Sequence, residues 1–244
     1  LPDSLTKIGR DIFANCTQLT EISIPSGITE IPDSAFIYDF ALNKVELPDN
    51  LVSVGGRAFD GCEGLRSLKL PDTLTSLGGF CFYKSGLAEI NLPSGITEIP
   101  ALCFYGCNLT EIHIPAGVTR ICDEAFWNCG SLNDIWFYGA APELPEREGW
   151  VTGSYELVLH YLEGKDGWTT PEWDGLKAEP FTLDAEEDTV ITVEIGEATA
   201  VFNKKTETLT KVTGNISSFE IPVTIQNVAV TNIASGCFDK CKTL

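Results

Sequence analysis

The proline of one short motif recurs with a near-constant period, and no other feature of the chain limits its fold as tightly. Pro2, Pro25, Pro48, Pro71, Pro93 and Pro115 are separated by 23, 23, 23, 22 and 22 residues, and Tyr138 fills the next slot after 23 more. An apolar residue precedes each slot: Leu1, Ile24, Leu47, Leu70, Leu92, Ile114 and Phe137. Two places upstream stand Ile22, Val45, Leu68, Ile90, Ile112 and Ile135, with Ser23, Glu46, Lys69, Asn91, His113 and Trp136 between. This alternation reads as a short strand with one buried face. Proline ends it, having no amide hydrogen for a continuing ladder. Eleven residues after each proline comes a phenylalanine: Phe13, Phe36, Phe59, Phe82, Phe104 and Phe126. One unit cannot bury that stripe alone, whereas stacked units can.

A turn follows each proline, where Gly27, Gly95 and Gly117 are expected to supply backbone freedom. The residue before each phenylalanine is apolar or small: Ile12, Ala35, Ala58, Cys81, Cys103 and Ala125. Segments such as LTEISIPSGITEIPDSAF (residues 19–36) and LTEIHIPAGVTRICDEAFWNC (109–129) resemble the BspA-like, or treponemal-type, leucine-rich repeats of bacterial cell-surface proteins. The resemblance implies a mainly β leucine-rich-repeat solenoid, with a parallel sheet on one face and short strands and turns on the other.

The regular repeats span 1–138. Residues 139–180, rich in Pro, Gly and Trp, read as an irregular closing or interrupting segment that Trp150, Trp168 and Trp173 pack, although Tyr155 to Tyr161 alternates like another strand. Residues 181–218 form a Thr-rich β segment in which ATAVFN (198–203) and TLTKVTG (208–214) suggest a hairpin. Residues 219–244 restart the repeat. Phe219, Ile221 and Pro222 match the strand, and Phe238, Cys241 and Leu244 keep the spacing of Phe13, Cys16 and Leu19. The chain begins at Leu1, contains no methionine and starts and stops inside repeats, so it reads as a fragment whose parent carries a second array.

No apolar run approaches the ~18 residues of a transmembrane helix, which argues against direct membrane insertion of this stretch. A net charge of -19 repels polyanions, so nucleic acid is not an expected partner. The charge also keeps an extended, high-surface protein in solution.

The nine cysteines fall in register rather than in pairs. Cys16, Cys62, Cys107, Cys129 and Cys241 lie three residues after the repeat phenylalanine, Cys81, Cys103 and Cys237 directly before it, and Cys122 in neither column. They are read as structural thiols, since parallel side chains one strand apart suit disulfides poorly. The Cys103/Cys107 and Cys237/Cys241 spacings lack the four convergent ligands zinc requires. No cofactor or metal is expected.

With His113 and His160 as the chain's two histidines, acid-base and nucleophilic schemes are thin, and no catalytic residue is assigned. The exposed strand positions are the candidate binding face: Lys44, Arg66 and Lys69 in the early repeats, then Glu89, Glu111, His113, Asp134 and Trp136. Tyr83, Tyr105 and Trp127, one residue after successive phenylalanines, form a candidate aromatic stripe. The expected function is a non-catalytic scaffold of a secreted or cell-surface bacterial protein that adheres to a protein ligand, such as host matrix or another surface protein. Carbohydrate binding through the stripe and a structural spacer are the alternatives.

Overall fold

The computed structural model describes residues 1–146, 149–153, 155–182, 190–195, 198–203, 208–214, 224–225, 228–234, 237–238 and 240–241. The chain divides into two compact units, Leu1–Pro180 and Phe181–Leu244. Among the described residues every regular element is a strand.

The first unit is a solenoid whose coils each place a short strand on two sides. In chain order these are β1 (Glu21–Ser23), β2 (Glu30–Ile31), β3 (Lys44–Glu46), β4 (Ser53–Val54), β5 (Ser67–Leu68), β6 (Ser76–Leu77), β7 (Glu89–Ile90), β8 (Glu98–Ile99), β9 (Glu111–Ile114), β10 (Arg120–Ile121), β11 (Asp134–Phe137) and β12 (Val158–Leu162). Pairing is parallel and like meets like: Ile22 faces Val45, Leu68 faces Ile90, and Ile112 faces Ile135. On the second side β2, β4 and β6 pair in order, as do β8 and β10. Between the sides each proline carbonyl accepts the amide three residues on, as in Ile28 to Pro25 (3.0 Å) and Val118 to Pro115 (3.1 Å). The turn glycines serve close approach rather than backbone freedom. A Cβ on Gly27 would lie 2.4 Å from the Leu5 carbonyl oxygen, and one on Gly117 3.0 Å from that of Ser94.

The third side carries the phenylalanines, stacked at 5.2 to 5.6 Å with interplanar angles of 6° to 11° from Phe13 to Phe126. Left-handed residues flank each ring two places away, Asp11, Ser34, Arg57, Phe80, Leu102 and Glu124 before it and Asn15, Tyr38, Gly61, Lys84, Gly106 and Asn128 after it. Non-glycine residues ordinarily avoid this region. Here it aims three amides per coil at the next: Ser34 to Gly56 (2.8 Å), Phe36 to Ala58 (2.8 Å) and Tyr38 to Asp60 (2.7 Å). The backbone is thereby satisfied where no strand could form.

Three residues past each ring lies the thiol column. The Cys62, Cys107 and Cys129 thiols donate to the Phe36, Phe82 and Phe104 carbonyls of the preceding coil, each at 3.1 Å. All three are buried, and burial pushes their acidity down, Cys129 to a pKa of about 12. Cys81 and Cys103 touch at 3.4 Å between sulfurs as thiols. Cys16 is exposed at the first coil, and the Cys241 side chain lies outside the described residues. Asp39 occupies this column in the second coil. Its Oδ1 accepts the Cys16 amide at 2.6 Å, while Oδ2 is buried with no hydrogen-bond partner. Burial pushes the carboxyl up from its ordinary 3.8 to about 6, against the Cys16 bond, which favours the charged form.

Coiling continues past Tyr138. Val158, Leu159, His160 and Tyr161 pair with Asp134, Ile135, Trp136 and Phe137, Glu143 pairs with Arg120, and Val151 pairs with Phe126. With Val151 in the phenylalanine slot, the stack ends on Trp150, whose ring meets Phe126 edge-on at 6.2 Å and 81°. Trp150 Nε1 donates to Asp174 (2.9 Å) and Trp168 Nε1 to the Gly139 carbonyl (3.0 Å). Trp168 stacks on Tyr161 at 5.1 Å and 6°, and Trp173 leans on Trp150, Phe137 and Trp168. The hairpin of β13 (Glu172–Trp173) and β14 (Leu176–Phe181) follows, with β14 beside β12. These rings plug the last coil.

The second unit opens with an antiparallel meander of β15 (Val190–Ile195), β16 (Ala198–Asn203) and β17 (Thr208–Gly214). It continues with β18 (Thr224–Ile225), β19 (Val228–Ala229), β20 (Asn232–Ile233) and β21 (Lys240–Cys241). Ala200, Phe202, Leu209, Val212, Ile225 and Cys237 form its core. Residues 204–207, Phe219, Ile221, Pro222 and Leu244, on which sequence expectations rested, lie outside the described residues.

Two outcomes test this account. Phe82 is fully buried between two rings, so Phe82→Ala should cost about 3–5 kcal/mol, whereas Phe13→Ala at the half-buried end should cost less than half of that. Urea unfolding midpoints read both, and equal losses would show that stacking does not set the cost. The Asp39 carboxyl is held above its ordinary value, so its stabilising, neutral form is complete below pH 3.8 and lost as pH rises through about 6. Asp39→Asn should therefore stabilise the protein at pH 7.5 by on the order of 2–3 kcal/mol and by progressively less toward about pH 4. A gain independent of pH would count against a buried charge as the cause.

Candidate functional site

The outward positions of β1, β3, β5, β7, β9, β11 and β12 lie in two columns with rungs ~4.8 Å apart. Paired registers place Glu21 beside Lys44, Ser67 beside Glu89, and Glu111 beside Asp134. Lys44, Arg66 and Lys69 are exposed in the early coils. Lys44 Nζ meets Glu46 at 2.7 Å, an exposed pair that raises the lysine's pKa and lowers the glutamate's. Glu89 and Glu111 are exposed and Asp134 half-buried, giving carboxylates on three successive later coils. Like charges ~5 Å apart in water repel by about 0.8 kcal/mol, a cost an approaching cation relieves.

Beside those acids the second column turns aromatic. His113 stacks on Trp136 at 6.0 Å and 9°, and Trp136 stacks on His160 at 3.9 Å and 13°. The strand registers require this, since Trp136 pairs with His113 on one side and His160 on the other. His160 Nε2 lies 2.7 Å from Asp134 Oδ1, His113 Nε2 3.8 Å from Glu111, and His113 Nδ1 2.9 Å from the Tyr138 hydroxyl. Burial, helped by the Glu111 charge, pushes the Tyr138 phenol up to about 12, so it stays a neutral hydrogen-bonding group.

Of the sequence candidates, Glu111, His113, Asp134 and Trp136 thus converge. Glu89 stands one coil before them, and Lys44, Arg66 and Lys69 sit apart in the earlier coils. His160 and Tyr138 complete the group without having been singled out from sequence. The available signal was the LVLHYL alternation (157–162), which places His160 in the outward column once the coil is known to continue. Among the described residues, no group of three or more His, Cys, Asp or Glu side chains is arranged to hold a metal ion.

The other aromatic stripe lies on the third side. Tyr83 and Tyr105 stack on each other at 4.8 Å and 20°, Phe80 tilts against Tyr83 at 5.6 Å, and Lys84 lies over Tyr83 at 5.3 Å. Trp127 is covered by backbone, because a Cβ on Gly149, which has φ +45°, would fall 1.9 Å from its ring. All three rings are half-buried, and one face of Tyr83 is turned toward one face of Tyr105.

No curated protein sequence matches the chain. Among solved structures, the T. pallidum leucine-rich repeat protein is 27% identical over 64% of this chain and 76% of its own, with a TM-score of 0.54. A leucine-rich repeat protein from Eubacterium ventriosum ATCC 27560 is 19% identical, and the match covers 92% of this chain but about half, 52%, of that one, at a TM-score of 0.45. A leucine-rich cell surface protein from Faecalibacterium prausnitzii A2-165 is 21% identical over 57% of this chain and 62% of its own, at a TM-score of 0.28. The family described as BspA type leucine-rich repeat region matches residues 1–107 and 29–144, in 6 copies. With more than half of its residues inside that match and its coils in the register the repeat demands, the chain belongs to the BspA-type leucine-rich repeat family.

Proposed function

We propose that this chain is a non-catalytic recognition scaffold of a secreted or cell-surface bacterial protein, and that the outward sheet face of its later coils binds a basic segment of a protein partner. The carrying observation is the segregation of that face. Glu89, Glu111 and Asp134 stand on successive coils beside the His113–Trp136–His160 column, while Lys44, Arg66 and Lys69 lie in earlier coils. Exposed ion pairs contribute only about 0.2–1 kcal/mol each, so the charges steer and orient while the half-buried Trp136 supplies an anchor. Membership of the family supports the exported, surface-bound part of the reading.

A protein fits better than a glycan. Sugars stack on open ring faces, and here Tyr83 and Tyr105 each turn a face to the other while Trp136 has a histidine ring on both faces. The carboxylates run in a row along a flat face rather than facing one another across a cleft, which suits recognition and not glycoside chemistry.

An array of extracellular-matrix and bacterial surface proteins, probed with this chain, tests the reading. Binding should fall at least tenfold when Glu89, Glu111 and Asp134 are together changed to lysine, fall similarly for Trp136→Ala, and weaken with added salt. Binding that ignores those changes but is lost in Tyr83→Ala/Tyr105→Ala would turn the assignment to the other stripe. Binding to nothing on the array would leave a spacer.

A further inference from the structure

We infer that strands β15, β16 and β17 are the N-terminal cap of a second leucine-rich array, with β17 standing in for the coil that would otherwise precede it. The hydrogen bonds of the first unit supply the template. There, the residue after β4, β6 and β10 donates to the carbonyl that ends the second-side strand one coil earlier: Gly55 to Ile31 (2.7 Å), Gly78 to Val54 (2.8 Å), Cys122 to Ile99 (2.9 Å). In the second unit Ala234, directly after β20, donates to Leu209 of β17 at 2.9 Å.

On the third side of the first unit, the phenylalanine amide of one coil donates to the residue just before the next phenylalanine: Phe36 to Ala58 (2.8 Å), Phe59 to Cys81 (2.7 Å), Phe82 to Cys103 (3.0 Å). Val212 of β17 donates to Cys237 at 2.7 Å, and Cys237 directly precedes Phe238. Within the coil, the Cys237 amide reaches the Ala234 carbonyl at 3.1 Å, as Cys81 reaches Gly78 at 3.3 Å. Leu209 therefore holds the place of a second-side apolar residue and Val212 that of a repeat phenylalanine. Both are fully buried.

β17 differs from a coil in one respect that makes it a cap. Ile31 and Phe36 are five residues apart, whereas Leu209 and Val212 are three apart, so an extended strand crosses as a chord between the two sides. It pairs in parallel with β20 through Thr208 and Leu209 and with β21 through Thr213 and Gly214. Its other edge is taken by β16, antiparallel, and β16 in turn by β15. An uncovered coil would present a row of unsatisfied amides and carbonyls, which terminal repeats must close.

Hydrogen exchange on the intact chain, read by mass spectrometry, tests the cap. Val212→Pro removes the amide that meets Cys237, and Leu209→Ala trims the buried side chain without touching the backbone. Val212→Pro should speed exchange at least tenfold across 228–241 and Leu209→Ala should do so by a smaller factor, while 1–180 exchanges as in the parent. If either variant speeds exchange in 198–214 but leaves 228–241 unchanged, the meander is only a neighbour and the inference falls. It falls equally if 1–180 loses protection to the same extent.

Discussion

Every coil of the first unit must offer its successor the same atoms its predecessor offered it, and the rest of the structure depends on that translational constraint. The stacked phenylalanines show it plainly. From Phe36 to Phe104 each ring is buried between identical rings that lie 5.2 to 5.6 Å along the axis on either side, at nearly the same tilt. Offset stacks of this kind add about 0.5–1.5 kcal/mol per pair beyond area burial. The backbone obeys the same rule, with three amides per coil delivered to the next by left-handed residues. A substitution is therefore judged against a column, as Asp39 illustrates. It is an ordinary residue by itself and costly because the column buries its Oδ2 where no donor reaches it.

Those columns explain what was legible in the sequence. Strand sides and the phenylalanine stack carry side-chain signatures at fixed offsets, so Ile22, Val45 and Phe36 declare their places. The left-handed positions do not, because Arg57, Phe80 and Leu102 are not residue types that favour that backbone, and their φ values of 56°, 61° and 54° are imposed by the coils around them. The continuation past Tyr138 was legible only as the strand-like alternation from Tyr155 to Tyr161. Strand register advances 24 residues from Trp136 to His160, and 25 separate Phe126 from Val151, so the extra coil departs from the 22 to 23 spacing and lacks its phenylalanine. One ring of the aromatic column beside the acids was missed for that reason: His113 and Trp136 were readable, and His160, which covers the other face of Trp136, was not assigned to the face.

Cysteine illustrates how a chemical residue becomes a structural one. Its thiol is small enough for the inward corner and donates to a carbonyl that already accepts its own coil's turn amide, as Phe36 does from Asp39 at 3.2 Å and from Cys62 at 3.1 Å. Serine fills the same corner at Ser85, whose buried hydroxyl lies 3.4 Å from the Cys107 sulfur. Buried thiols of raised pKa are poor nucleophiles, so Cys62, Cys107 and Cys129 serve packing. The residues able to face a partner are those the coil leaves outside, where the translation rule constrains position but not identity.

A solenoid built on repetition has one unavoidable weakness, its ends, and this chain meets it in two ways. At the end of the first array Val151 replaces the phenylalanine and indole rings close the core, with Trp150 and Trp168 each directing a ring N–H to a polar acceptor. That solution breaks the stacking by turning a ring through 81°, leaving no flat face for a further phenylalanine to extend. In the second unit the hydrogen bonds, rather than the rings, are matched: Leu209 and Val212 reproduce a coil's bonds, and an antiparallel strand behind them changes the pattern. One end is stopped by side-chain shape and the other begun by backbone register, the two interactions that together define a coil.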